Sequence, residues 1–191
     1  CYAVASNTPK TIEHIISDGT CIACGYTEAP VVLTEENISQ YGFDDAYLGY
    51  YVISTAGQLY KFAELANNDL SISGVLIDNI TVNKNVLDEN GELAVDASEL
   101  KEWTVIGESY KGTFDGNGYY ISGLYKTGDT AGGMFYSNVG TIKNLTIIDS
   151  YFLPLKYYNV GSICCVNYNI ISNCYNYSTV YSNEISTGAG G

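Results

Sequence analysis

The chain has 191 residues, 46% of them hydrophobic and only 15% charged, which suits one folded domain with small appendages and is too apolar for disorder. Its 21 acidic residues face eight basic ones, all Lys, giving a net charge of −13 and an isoelectric point near 4.1. That balance argues against nucleic acid or an anionic membrane surface as partner. The absence of Arg removes the usual bidentate clamp for carboxylates and phosphates, and no apolar run reaches the roughly 18 residues of a membrane span.

Residues 1–34 read as a small Cys/His segment. Ala3-Val4-Ala5 has the A-x-A form of a signal cleavage site, but no charged or apolar region precedes it, so the match reads as chance. The chain opens without Met and stops on Thr187-Gly188-Ala189-Gly190-Gly191, and is expected to be part of a longer protein. His14, the only His, precedes Cys21-x2-Cys24-Gly25. Two thiolates at that spacing suit one metal, with His14 as third ligand and Cys1 as fourth, a Cys₃His structural zinc site. A Cys21–Cys24 disulfide and free thiols are the alternatives. In each case the cluster is a staple for a segment too small to fold alone.

Residues 35–69 read as a linker and a capping helix. Thr55-x-x-Gln58 matches a capping box, and Leu59, Phe62, Ala63, Leu65 and Ala66 follow at helical spacing until Asn67-Asn68. The helix is expected over Ser54–Asn67, covering the open apolar end of the C-terminal region; the alternative is an amphipathic helix for a partner. Val75 to Leu87 is a long β-prone run, Asp88 to Lys101 an acidic surface loop, and Trp103 to Gly107 a short strand ending in a turn.

Residues 70–191 carry an internal repeat. Gly112-Thr113-Phe114-Asp115-Gly116-Asn117 with Ile121 and Leu124 aligns without a gap on Gly133-Met134-Phe135-Tyr136-Ser137-Asn138 with Ile142 and Leu145. A third copy runs from Gly161 through Ile163, Asn167, Ile171 and Cys174, so the starts lie 21 and 28 residues apart. A β-rich unit this short cannot bury its own apolar face and must stack on copies of itself. The expected fold is all-β, a parallel β-helix (β-solenoid) with rungs about 4.8 Å apart. Phe114/Phe135/Ile163 and Ile121/Ile142/Ile171 would form inward ladders. Asn117/Asn138/Asn167 would sit at the turns, where Asn tolerates the left-handed conformation. The alternative is an antiparallel sandwich.

Several segments together resemble a known family. Ile53-Ser54-Thr55-Ala56-Gly57-Gln58-Leu59-Tyr60-Lys61-Phe62-Ala63 is similar to the opening of bacterial surface proteins that carry GLUG repeats. Trp103 to Gly107, Gly112 to Leu124, Gly140 to Leu145 and Ile171 to Asn176 resemble their later segments, in the same order. The fourth glycine of the naming G-L-x-G motif is absent from both Gly133-Met134-Phe135-Tyr136 and Gly161-Ser162-Ile163-Cys164. The resemblance, over about residues 50–186, implies a right-handed parallel β-helix. It also implies export by a Gram-positive-type bacterium and an extracellular or cell-surface role in adhesion or display. The Cys/His segment resembles elements found in front of such repeats.

No catalytic set emerges. Asp115, Asp129 and Asp149 are the acids within the repeats, with Asp115 expected in a turn role; the only His lies far upstream. Cys174 aligns with core Leu124 and Leu145 and is expected to be buried, and a disulfide from Cys164 or Cys165 to Cys174 is left open. Tyr50-Tyr51, Tyr119-Tyr120 and Tyr157-Tyr158 are candidate sugar platforms. Tyr157 and Tyr158 are the preferred binding residues, because the Phe152–Asn159 loop interrupts the repeat and such insertions often carry function. The chain is therefore expected to be a non-catalytic module for adhesion or glycan binding. Its expected partners are host or plant glycans or surface proteins, with no nucleic acid and no membrane insertion. The alternatives are part of a carbohydrate-active enzyme, or a passive stalk displaying another module.

Overall fold

The computed structural model describes residues 16–17, 20–21, 28–128, 132–154, 159–181 and 189–190, the three outlying pairs as backbone alone. Strands β1 (Ile16–Ser17) and β2 (Thr20–Cys21) form an antiparallel pair. β3 (Val31–Val32) and β4 (Tyr51–Ile53) follow, then helix α1 (Ala56–Asn68), β5 (Gly74–Leu76) and β6 (Ile80–Thr81). The repeat region begins with β7 (Thr113–Asp115), β8 (Tyr120–Ser122), β9 (Tyr125–Gly128) and β10 (Phe135–Asn138). It continues with β11 (Thr141–Lys143), β12 (Thr146–Pro154), β13 (Val160–Gly161) and β14 (Cys164–Asn167). β15 (Ile170–Ser172), β16 (Tyr175–Val180) and β17 (Ala189–Gly190) complete it.

One sheet has the order β15-β11-β7-β5-β4-β3 and a second the order β16-β12-β8-β6, with β9 also on β12; β10 pairs with β14 and β13 with β17. Every pairing in the repeat region is parallel, whereas β3 lies antiparallel on β4.

The structure corrects the expected fold. The protein is not an all-β, right-handed parallel β-helix. It is a mixed α/β arrangement in which parallel sheets, the six-stranded one forming a half-barrel, share a core with a helix, and no closed right-handed solenoid forms among the described residues. Three local features account for this. Helix α1 is the crossover between the parallel neighbours β4 and β5. Between β6 and β7 no regular strand is described, and the β-bridges from this stretch to the repeat region are the isolated ones Glu102↔Tyr125, Ile106↔Phe135 and Tyr110↔Asn138. The Trp103–Gly107 stretch is therefore not the strand its sequence suggested. Finally, β3 reverses direction at the sheet edge.

The register bears out part of the expected ladders, with Ile142 beside Ile171 and Asn138 beside Asn167, and differs in the rest. Phe114 pairs with Ile142, and Ile142 with Ile171. Phe135 pairs with Cys164, and Ile121 with Ile80 and Ile147. Each rung therefore holds several strands, and equivalent positions recur after 26 to 29 residues. The 21-residue alignment had matched two different strands of a single rung.

The corners follow the corrected register. Asn117, Asn144 and Asn173 each take a positive φ, of 51°, 53° and 52°, the left-handed conformation Asn tolerates better than other side chains. A Cβ on Gly140 would sit on the carbonyl oxygen of Gly112 one rung away, so glycine is what lets these backbones stack.

The core gathers Phe62 and Ala66 from α1 with Trp103, Phe114, Phe135, Ile142 and Ile147, all essentially inaccessible to solvent. Phe114 meets Phe62 at 5.6 Å and Phe135 edge-on at 5.6 Å, a favoured arrangement for aromatic pairs. Trp103 is anchored by its indole N–H, which donates to the Met134 carbonyl at 3.0 Å.

The helix keeps its predicted cap with a shift. Thr55 Oγ1 accepts from the Gln58 N–H at 3.2 Å, and Gln58 reaches back to the N–H of Ser54 at 2.9 Å, one residue earlier than in the standard capping box.

Candidate functional site

Two polar constellations stand out, and they differ in exposure. The first is buried. Asp115 of β7 is inaccessible to solvent, and its carboxylate accepts from the Tyr47 hydroxyl at 2.7 Å, the Asn117 N–H at 2.8 Å and Asn144 Nδ2 at 3.0 Å. Lys143 Nζ stands 3.1 Å away. Burial would raise the carboxyl's pKa; the hydrogen bonds from Asn144, Tyr47, Asn117 and Lys143 outweigh it and hold the group below the usual carboxylate range. Burial, then the bond to Asp115, pushes the Tyr47 phenol up to about 12. All four donors are engaged in fixing the carboxylate. The constellation ties the segment before β4 to two rungs of the half-barrel.

The second is an open cleft of about 260 Å³, lined by Glu108, Ser109, Tyr136, Ser137, Asn159, Val166 and Tyr168. Its floor is the parallel pair β10–β14, in which Ser137 stands beside Val166. One wall is the turn between the Ile106 and Tyr110 bridges. There Ser109 adopts φ 66°, and its N–H donates to Ser137 Oγ at 2.7 Å. A non-glycine residue in that conformation persists only where its surroundings hold it. Here the two flanking bridges do so, reinforced by the N–H of Tyr110 donating to the Ser137 carbonyl at 2.9 Å and that of Tyr136 to the Ile106 carbonyl at 2.8 Å. The opposite rim is Tyr168, 71% exposed, whose N–H donates to the Asn138 carbonyl at 2.8 Å. The cleft thus offers two phenol rings, hydroxyls, an amide and one carboxylate on a fixed floor.

A second open cleft, about 280 Å³, lies at the start of α1 among Ser54, Thr55, Ala56, Asn79, Ile80, Thr81 and Lys84. The helix N-terminus there is already served by its own cap.

The residues singled out from sequence fare unevenly. Tyr157 and Tyr158 lie outside the described residues. Of the predicted Phe152–Asn159 loop, the first three residues belong to β12, which runs on to Pro154 and buries Phe152, and Asn159 lines the cleft. Tyr51 is a strand residue against Phe62, with ring centroids 6.1 Å apart, and Tyr50 packs on Tyr47 at 5.0 Å. Tyr119 and Tyr120 are half-buried.

Cys1, His14 and Cys24 lie outside the described residues, and Cys21 is described as backbone within β2. Among the described residues no group of three His, Cys, Asp or Glu side chains could hold a metal ion. Cys164, Cys165 and Cys174 are half-buried free thiols. Burial pushes Cys164 up to about 11 and Cys165 up to about 12. Cys165 donates to the Gly132 carbonyl, and Cys174 to that of Ser172 at 3.3 Å.

Sequence reasoning missed Glu108, Ser109, Tyr136, Ser137, Val166 and Tyr168. The signal that would have found them is the longer period, which brings Tyr136-Ser137 against Cys165-Val166.

No family model, no curated protein and no solved structure matches this chain.

Proposed function

We propose that the chain is a non-catalytic, carbohydrate-binding module of a bacterial surface protein of GLUG-repeat type, displayed outside the cell and serving adhesion. The observation that carries this reading is the cleft on β10–β14, where Tyr136 and Tyr168 accompany Ser109, Ser137, Asn159 and Glu108. Sugar rings present an apolar face and a rim of hydroxyls. A small concave site with aromatic walls and a few fixed polar groups suits both. The net charge of −13 disfavours anionic ligands and leaves neutral glycans as the best match. Among the described residues Glu108 is the one carboxylate lining the cleft, whereas glycoside hydrolysis ordinarily needs two acidic groups at a set separation.

The test is a binding screen against mucin-type, plant and host-matrix glycans, with reducing-end and unsaturated products followed in the same wells. Saturable binding without product, weakened about tenfold or more by Tyr168→Ala, is the expected result. Product release, or binding that ignores Tyr168→Ala, would send the reading elsewhere.

A further inference from the structure

Among the described residues, the non-glycine positions with positive φ are Asn85, Asn117, Asn144, Asp149, Asn173 and Ser109. All but Ser109 are Asn or Asp, whose short polar side chains tolerate the left-handed region. Ser109 is the exception, and it lines the cleft beside its neighbour Glu108.

Hydrogen bonds pin this turn from both sides. The N–H of Gly107 donates to Asn67 Oδ1 of α1 at 2.7 Å, and Asn67 Nδ2 donates to the Val105 carbonyl at 3.1 Å. The N–H of Ser109 donates to Ser137 Oγ at 2.7 Å, and the Tyr110 hydroxyl to the Ile72 carbonyl at 2.9 Å. A strained residue held this firmly at a concave site points to positioning rather than to a slack loop.

The residue so positioned is Glu108. Its side chain is exposed and forms no ion pair among the described residues, and no described Lys lines the cleft. In Asp115, by contrast, the carboxylate is taken up by Tyr47, Asn117, Asn144 and Lys143. An ionised carboxylate accepts only, through two oxygens side by side. Two hydroxyls on adjacent ring carbons of a sugar present a matching pair of donors. A sulfate or an ether in place of either removes one donor, and the sulfate also repels the carboxylate.

Resting on the cleft's role as a glycan site, we infer that Glu108, held by the strained Ser109 turn, is its specificity determinant: the carboxylate accepts from a vicinal diol and selects a neutral hexose ring with two adjacent free hydroxyls. Tyr168 offers its exposed ring to the apolar face of the sugar, and Glu108 decides which ring is kept.

The probes are the methyl glycosides of glucose, galactose and mannose and their monodeoxy counterparts, titrated into the full chain and followed by amide NMR. For the best-bound glycoside, removal of either of two adjacent hydroxyls should weaken binding about tenfold. Glu108→Gln loses one acceptor. It should weaken the intact glycoside about tenfold and respond less than about twofold to the same deoxygenations, with the unfolding midpoint in place. Ser109→Gly adopts the left-handed turn freely and should hold or raise the midpoint while weakening binding about threefold or more, a pairing that a merely structural turn would not show. The inference is overturned if Glu108→Gln binds as the parent does, if the hydroxyls that matter are not adjacent, or if Ser109→Gly binds undiminished. Binding that survives those results and is still lost in Tyr168→Ala keeps the cleft a glycan site with another selector. If neither these glycosides nor the screened glycans shift the cleft amides, the glycan site falls and this inference with it.

Discussion

Asn144 donates through Nδ2 to the buried carboxylate of Asp115 at 3.0 Å while its own backbone holds φ 53°. One residue therefore turns its rung and ties it to the rung before. The two contributions separate experimentally. Asn144→Gly keeps the left-handed conformation and loses the hydrogen bond; Asn144→Ala loses both. Urea unfolding should show a cost of about 1–2 kcal/mol for Gly and roughly 1 kcal/mol more for Ala. Equal costs would mean that the corner conformation carries no strain.

Asp115→Ala leaves the Tyr47 hydroxyl and the Lys143 ammonium without their shared acceptor, and should cost about 3 kcal/mol in the same assay. An effect under about 1 kcal/mol, the worth of an exposed ion pair, would show that the contacts are weak in solution.

The same cluster sets a pH dependence at both ends of the scale. The Asp115 pKa is depressed in the folded chain, so its contribution is complete above the unfolded value of about 3.9 and fades as pH falls through the lower folded value. The Tyr47 pKa is raised, so its contribution is complete below about 10 and is lost as pH rises through about 12. Comparing Asp115→Asn and Tyr47→Phe with the parent across pH should flatten the acid limb for the first and the alkaline limb for the second.

Cys164 and Cys165 should resist thiol reagents. Raising a thiol to about 11 or 12 cuts the thiolate fraction at pH 8 about a hundredfold or more below that of a free cysteine. Titration with a chromogenic disulfide should show slow reaction in the native chain and three fast equivalents from Cys164, Cys165 and Cys174 in denaturant after blocking or replacing Cys1, Cys21 and Cys24. Rapid native reaction would mean that the β13–β14 region opens readily.

Local signals carried what local physics decides. The helix cap at Thr55 and Gln58 and the left-handed Asn117 corner were legible because each depends on neighbouring residues, and the parallel pairing of strands was legible because the sequence repeats. The register was legible only in part: Ile142 pairs with Ile171 and Asn138 with Asn167 as the repeat suggested, but Phe114 does not pair with Phe135. Phe114 and Phe135 look alike in sequence because both fill one core from different walls, where they meet edge-on; only long-range pairing reveals that Phe114 shares its column with Ile142. Closure of the fold was illegible for the same reason. The acidic stretch Asp88 to Lys101 was legible as a loop, but nothing local in Val82 to Leu87 or Trp103 to Gly107 says that these residues forgo regular strands. The cleft was hidden because one wall, Glu108 and Ser109, comes from an irregular segment outside the repeat, although the Asn138/Asn167 pairing already sets Ser137 beside Val166.

The central claim is that the β10–β14 cleft binds glycan. Its most direct test is an amide NMR titration of the full chain with the tightest neutral glycan from the screen. The account predicts saturable shifts concentrated at Ser109, Tyr136, Ser137, Asn159, Val166 and Tyr168, and their loss in Tyr168→Ala. Shifts centred elsewhere, or none with any glycan, would contradict it.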